Sequence, residues 1–228
     1  MVSVMPDHPA QPAFTVLLVC TGNICRSALA ERLGRAYLVE VLGNRSAEVR
    51  LVSAGTGAVV GSEMHPHSAL VLSGLGAEPG DFRARQLVES IVEEADLILT
   101  MTRGHRGEVL RLAPRALART FTLREAADLL RNVVGDDARA GADLPERARE
   151  LVSAMAEARS RRSGGDYDDI RDPIGLPVEV HQEVGEAIAE ALLPVLARLA
   201  APAPVGRTGL EGRTDPDRTE ESGASPAF

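Results

Sequence analysis

The segment Phe14–Cys20 (FTVLLVC) is an apolar, β-branched run of strand length, and it opens directly onto Thr21-Gly22-Asn23-Ile24-Cys25-Arg26-Ser27 and a helical pattern. This junction restricts the fold more than any other stretch. A strand without a polar face must be covered on both sides, which places it inside a parallel sheet with helices above and below. Over residues 27–42, Leu29, Leu33, Ala36, Tyr37 and Val41 recur at helical spacing, so the strand feeds a helix. The alternation continues with a strand at 49–54, closed by Gly55-Thr56-Gly57, and helices at 66–74 and 85–95. A strand at 96–101 follows, then helices at 103–113, 123–130, 145–162 and 178–199. Strand–helix repetition of this kind predicts an α/β fold with a doubly wound parallel sheet, which binds ligands beyond the carboxyl ends of its strands.

The turn after Cys20 supplies a definite chemistry. A glycine-containing turn between a strand and a helix N-terminus aims successive backbone N–H groups into one concavity, and the helix dipole favours an anion there. Arg26 adds a planar fork suited to two phosphate oxygens. Cys20 then lies at the rim of an electropositive nest that stabilises its thiolate. Five residues between Cys20 and Arg26 are enough to wrap one tetrahedral oxyanion, and a thiolate beneath a phosphate is a nucleophile aimed at phosphorus. The competing reading is a buried, inert cysteine at a strand end.

The remaining composition narrows the classes. Acidic residues number 33 against 25 basic ones, a formal charge of −8, and aromatics make up 3% with no Trp. Nucleic acid is therefore an unsuitable partner, because phosphate neutralisation and base stacking need basic stripes and rings. Two cysteines cannot form a disulfide framework in a chain of 228 residues. No run approaches the roughly 18 apolar residues of a membrane helix, and residues 1–12 do not read as a signal peptide. The expectation is a cytoplasmic protein with a folded body at 13–200, a disordered N-terminus at 1–12 and a disordered tail at 201–228. His65-x-His67, in a loop with no cysteine beside it in sequence, reads as solvated rather than as a metal site. Arg161-Arg162 reads as solvated charge.

VLLVCTGNICRSALAE resembles the phosphate loop of the low-molecular-weight protein tyrosine phosphatase family. Asp172-Pro173 in DDIRDPIG matches the family's second signature, and Ser53-Ala54-Gly55-Thr56 and Ala84-Arg85-Gln86 lie between them in family order. The resemblance spans residues 14–199, with 105–170 longer than the family needs and read as a cap or extra helices near the site. It implies a four-stranded, flavodoxin-like sheet with helices on both faces, of the phosphotyrosine phosphatase I type. It also implies a phosphomonoester hydrolase working through a phosphocysteine, without metal or cofactor. Cys20 would attack phosphorus, while Arg26 and the N–H groups of Thr21, Gly22, Asn23, Ile24, Cys25 and Arg26 hold the phosphate oxygens. Asp172 would serve as acid and then base, and Asn23, Ser27 and Ser53 would brace the loop. Without the resemblance, Asp172 stands out from Asp166, Asp168 and Asp169 only through Pro173, which fixes the chain. Cys25 has two readings, a reversible disulfide partner for Cys20 or a small apolar filler.

The sequence also departs from the family pattern. Ile174 and Gly175 follow Asp172-Pro173 where phosphotyrosine-specific members carry aromatics, Ala58, Val59 and Val60 occupy the facing loop, and Phe82 stands where many members place a supporting His. Lost stacking, about 0.5–1.5 kcal/mol per aromatic pair, weakens a preference without abolishing activity. Ile24 resembles the tyrosine-directed type, since phosphoarginine-directed members carry Thr there. The leading expectation is a phosphotyrosine protein as substrate, and the alternative is a small-molecule phosphate. An arsenate reductase is disfavoured by the absence of cysteines beyond Cys25, and a non-catalytic phosphate-binding module by the presence of Cys20, Arg26 and Asp172 together.

Overall fold

The structure, a computed structural model, describes residues 13–132, 142–162 and 164–202. Strand β1 (Phe14–Cys20) pairs in parallel with β2 (Val49–Gly55) on one side and β3 (Leu97–Thr100) on the other. A fourth strand, β4 (Thr120–Thr122), pairs in parallel with β3, giving the order β2-β1-β3-β4. This is the doubly wound parallel sheet that the alternation predicted. Its direction of winding reverses between β1 and β3, so a crevice opens beyond the end of β1.

Every residue of β1 is buried, and the strand divides its side chains between two cores. Phe14, Val16, Leu18 and Cys20 join a large core with helices α1 (Arg26–Leu42), α2 (Pro66–Gly74), α5 (Leu123–Asn132), α6 (Leu144–Ala158) and α7 (Val178–Ala200). Leu17 and Val19 face a smaller core with Val92 of α3 (Glu89–Glu93) and Val109 of α4 (Arg103–Leu112). Full burial of each such Leu or Val contributes about 1.5–3 kcal/mol. Gly34 lets α1 approach both the sheet and α7, since a Cβ there would lie 2.4 Å from Leu51 Cδ2 and 3.0 Å from Leu196 Cδ1.

Four expectations are corrected. The helix at 85–95 begins only at Glu89, because Gly55 N–H donates to the Arg85 carbonyl at 3.0 Å and Leu87 N–H to the Gly55 carbonyl at 2.8 Å, an extended pairing. Of the two readings of 105–170, the cap gives way to extra helices among the described residues: Leu144, Ala148, Val152 and Met155 of α6 are built into the large core. Arg162 is nearly buried rather than solvated, pairing with Asp168 at 2.5 Å and Asp128 at 2.7 Å. The histidine pair is treated below. The expectations for 1–12 and 203–228 lie outside the described residues. Among the described residues, no helix is long and apolar enough to cross a membrane.

Candidate active site

The loop from Thr21 to Cys25 leaves β1 and delivers the chain into α1 at Arg26. A segment from Thr56 to His65 wraps it through main-chain contacts. The N–H groups of Thr56, Gly57, Val59 and His65 donate to the carbonyls of Cys20, Thr21, Gly22 and Ile24 at 2.8–3.0 Å. With those carbonyls turned toward the wrap, the loop N–H groups are left for another acceptor. Among the described residues, Gly22, Asn23, Ile24 and Cys25 donate their N–H to no protein atom. Gly55 permits this close wrapping, since a Cβ there would stand 2.3 Å from the Thr21 carbonyl oxygen.

Asn23 is the only non-glycine residue with positive φ among those described, at 53°. Its side chain is buried and fixes the strained turn by three hydrogen bonds. Arg85 N–H donates to Asn23 Oδ1 at 2.9 Å, while Nδ2 donates to Ser53 Oγ at 2.8 Å and Ser27 Oγ at 2.9 Å. Ser53 in turn donates to Glu31 Oε2 at 2.6 Å, and Glu31, itself buried, pairs with Arg35 at 2.8 Å. The carboxylate fixes the sense of the whole chain. Ser53 must donate to Glu31 and accept from Asn23, and Ser27 accepts from the other N–H of the amide. The Ser27 hydroxyl proton is thereby left for Cys20 Sγ, 2.9 Å away.

The other wall is built on charge. Arg26 is 3% exposed, donates from Nη1 to the Ile170 carbonyl at 3.1 Å, and pairs through Nη2 with Asp172 Oδ2 at 2.5 Å. Its Nε is buried without a protein partner. Asp172 also accepts from Ile174 N–H at 3.2 Å across the Pro173 turn. Asp166, Asp168 and Asp169 are engaged elsewhere: Arg103 pairs with Asp166 and with Asp169, and Arg162 with Asp168. Of these four acids, Asp172 is the one against Arg26. A cleft of about 220 Å³ is lined by Cys20, Thr21, Gly22, Ile24, Cys25, Arg26, Val59, Asp172 and Ile174. The loop residues expected to bind phosphate thus meet Cys20, Arg26 and Asp172 at the cleft, and Asn23, absent from its lining, commits its side chain to the bracing network with Ser27 and Ser53 while its N–H stays unpaired.

Three contributors went unread in the sequence. Glu31 closes the VLLVCTGNICRSALAE segment and Arg85 follows Ala84, but neither announces its distant partner. His105, on α4, bonds Thr21 Oγ1 through Nε2 at 2.9 Å and Thr102 Oγ1 through Nδ1 at 2.8 Å. It braces the loop from a different element, while Phe82, at the position of the family's supporting His, is simply buried. Burial first, then the Arg26 charge, pushes the His105 pKa down to about 4, so the ring is neutral at pH 7. Burial pushes the Cys25 thiol up to about 11, opposed by a hydrogen bond from Ser68.

The expectation of a solvated histidine pair away from cysteine is overturned. His65 N–H bonds the Ile24 carbonyl, which brings its ring beside Cys25 and beside His181 of α7. The fold supplies a neighbour that sequence distance conceals.

Comparison with known proteins adds a separate line. The family model described as low molecular weight phosphotyrosine protein phosphatase matches residues 15–146. A probable low molecular weight protein-tyrosine-phosphatase of Ralstonia nicotianae is 37% identical over 111 residues, 49% of this chain and 71% of that protein. A protein-arginine-phosphatase of Geobacillus stearothermophilus is 31% identical over 184 residues, 81% of this chain and 94% of that protein. The solved arginine phosphatase structure from G. stearothermophilus has a TM-score of 0.55 at 28% identity, covering 82% of this chain and 90% of its own. A low molecular weight protein tyrosine phosphatase structure from T. tengcongensis has a TM-score of 0.56 at 26% identity, covering 82% and 97%.

Proposed function

The chain belongs to the low molecular weight phosphotyrosine protein phosphatase family of hydrolases, and from that premise we propose that it removes phosphate from phosphotyrosine in proteins, with Cys20, Arg26 and Asp172 as its catalytic residues. The observation that carries this reading is the convergence of Cys20, Arg26 and Asp172 on one cleft floored by unpaired loop N–H groups.

In the free protein Arg26 is paired with Asp172. An arriving phosphate dianion takes the guanidinium, and Asp172, released from the pair, takes up a proton from solvent and turns to the leaving oxygen. Cys20 thiolate, held by Ser27, attacks phosphorus as the P–O bond to the leaving group breaks, and the Asp172 carboxyl gives its proton to that oxygen. Arg26 and the loop N–H groups hold the equatorial oxygens, where charge concentrates. Water then attacks the phosphocysteine, Asp172 takes a proton from it, the S–P bond breaks, and phosphate leaves with the thiolate restored. Such thiolate chemistry suits a reducing, cytoplasmic setting, and both cysteines are free.

The cleft walls are Ile24, Val59 and Ile174, which pack against an aryl ring by area rather than by stacking. A second reading, phosphoarginine in proteins, is favoured by the length of the match to the G. stearothermophilus arginine phosphatase. Ile24 favours the tyrosine reading. The test is hydrolysis of p-nitrophenyl phosphate by wild type and Cys20→Ser under reducing conditions, followed by phosphotyrosine peptide, phosphoarginine peptide and a phosphosugar. Cys20→Ser is expected to fall by about 10⁴-fold or more. A folded, reduced wild type without turnover overturns the assignment, and preference for phosphoarginine or the sugar replaces the substrate.

A further inference from the structure

A cluster of side chains of metal-ligating type stands beside the loop, and of its members only Cys25 lines the cleft. Ligand atoms of Cys25, His65 and His181 lie within 4.8 Å of one another. They come from three elements: Cys25 from the loop, His65 from the N-cap of α2, and His181 from the first turns of α7. The rings are close-set, with His65 and His181 stacked at 4.7 Å and His67 edge-on to both at 5.3 and 5.2 Å.

Two features mark the cluster as more than packing. First, His181 is 1% exposed, and its Nε2 is buried near the Pro173 carbonyl without a well-formed hydrogen bond; His67 Nδ1 is likewise buried without a partner. Buried imidazole nitrogens normally find partners. Second, the Ser68 hydroxyl bonds His181 Nδ1 at 3.0 Å, which leaves Nε2 as the ring nitrogen free for a metal. A polar group bonded to the far nitrogen of an imidazole is the outer-shell arrangement that orients a metal-ligating histidine.

We propose that Cys25, His65 and His181 form a zinc site, with His67 or water in the fourth position and Ser68 orienting His181. One thiolate with two or three imidazoles is the donor set that tetrahedral Zn²⁺ takes. Zinc bonds of about 2.3 Å to sulfur and about 2.0–2.1 Å to nitrogen place S and N about 3.5 Å and two N about 3.3 Å apart, so the cluster must close by at most about 1.5 Å. His65, which is only partly buried, can supply that movement by side-chain rotation. As the Zn–S bond forms, the Cys25 thiol proton passes to solvent. The bound ion ties the loop to α2 and α7, one residue from Arg26. A Cys25 thiolate held by zinc is also unavailable for a disulfide with Cys20.

The experiment uses the full chain under reducing conditions, in a Cys20→Ser background so that the nucleophile cannot supply the sulfur. Co²⁺ titration reads the thiolate-to-cobalt charge-transfer band, and competition with a chromophoric chelator reads Zn²⁺ affinity. The expected result is one ion per chain with the charge-transfer band, lost on further Cys25→Ser substitution. His65→Gln, at a partly buried side chain, is expected to weaken Zn²⁺ binding at least tenfold, and Ser68→Ala about tenfold. The proposal is overturned if the band is absent in Cys20→Ser, if it survives Cys25→Ser, or if His65→Gln binds Zn²⁺ as the parent does. Because binding is read without turnover, failure here leaves the phosphatase reading standing, and failure of that reading leaves this one.

Discussion

The two walls of the cleft are held by different forces. The nucleophile wall is a buried relay of side-chain hydrogen bonds, from Glu31 through Ser53 and Asn23 to Ser27 and Cys20. The acid wall is anchored at Asp168 by Arg162 and at Ile170 by Arg26 and the Met101 carbonyl, but its remaining ties are exposed ion pairs of Arg103 with Asp166 and Asp169, and Asp172 itself is 42% exposed. Buried hydrogen bonds fix geometry and are costly to break, whereas exposed ion pairs are worth about 0–1 kcal/mol and yield to salt. The nucleophile is thus set in place while the acid can move, as an acid must that begins paired with Arg26 and ends on a leaving group.

The sharpest break is Asp172→Asn, which keeps the Pro173 turn but removes the transferable proton. It is expected to lower kcat by about 10²–10⁴-fold on alkyl-like leaving groups and far less on p-nitrophenyl phosphate, which needs little protonation. Comparing the two substrates checks this, and equal losses on both would remove Asp172 from the acid role.

Next comes pH, acting on the nucleophile wall through His105. Its folded pKa lies below the unfolded value of 6.5, so the unfolded chain binds the extra proton first. Stability from this group is complete above pH 6.5 and falls as pH drops toward 4, by on the order of 3 kcal/mol. His65 and His181 are shifted the same way by burial, so the readout is the difference in urea midpoint between wild type and His105→Gln across that window. A constant difference would show that His105 does not titrate in it.

Asn23→Ala tests the relay itself. It removes three hydrogen bonds and leaves a β-carbon at positive φ, for an expected loss of about 1–3 kcal/mol, with kcat falling and KM nearly unchanged. Asn23→Gly should recover part of the stability and none of the rate. The smallest effect belongs to Arg103→Gln on the acid wall: a loss of kcat within about fivefold and a stability change under about 1 kcal/mol. Added salt should mimic it in the wild type and leave the variant unmoved.

What was legible in the sequence follows the range of each interaction. The strand, loop and helix start from Phe14 to Ser27 are contiguous, and their chemistry could be read directly. Asp172 could be read because Pro173 marks it. Glu31, Arg85 and His105 could not, since their partners stand 22, 62 and 84 residues away in sequence. Strand β4 is three residues long, Thr120-Phe121-Thr122, too short for a periodic signal, and is defined by pairing with β3. The same blindness hid the neighbours of His65 and Arg162, whose settings are made by α7 and by α5.

The wrap from Thr56 to His65 holds the loop through main-chain N–H groups, so beyond Gly61 at its positive φ and the buried Met64 its grip does not run through side chains. Val59 and Ile174, each half exposed, can therefore be exchanged without loosening the phosphate cradle. Mutational tolerance is concentrated at the rim where substrates are told apart and withheld from the floor where bonds are broken. A scaffold arranged this way can drift from one phosphorylated residue to another by a few rim substitutions, keeping its reaction throughout.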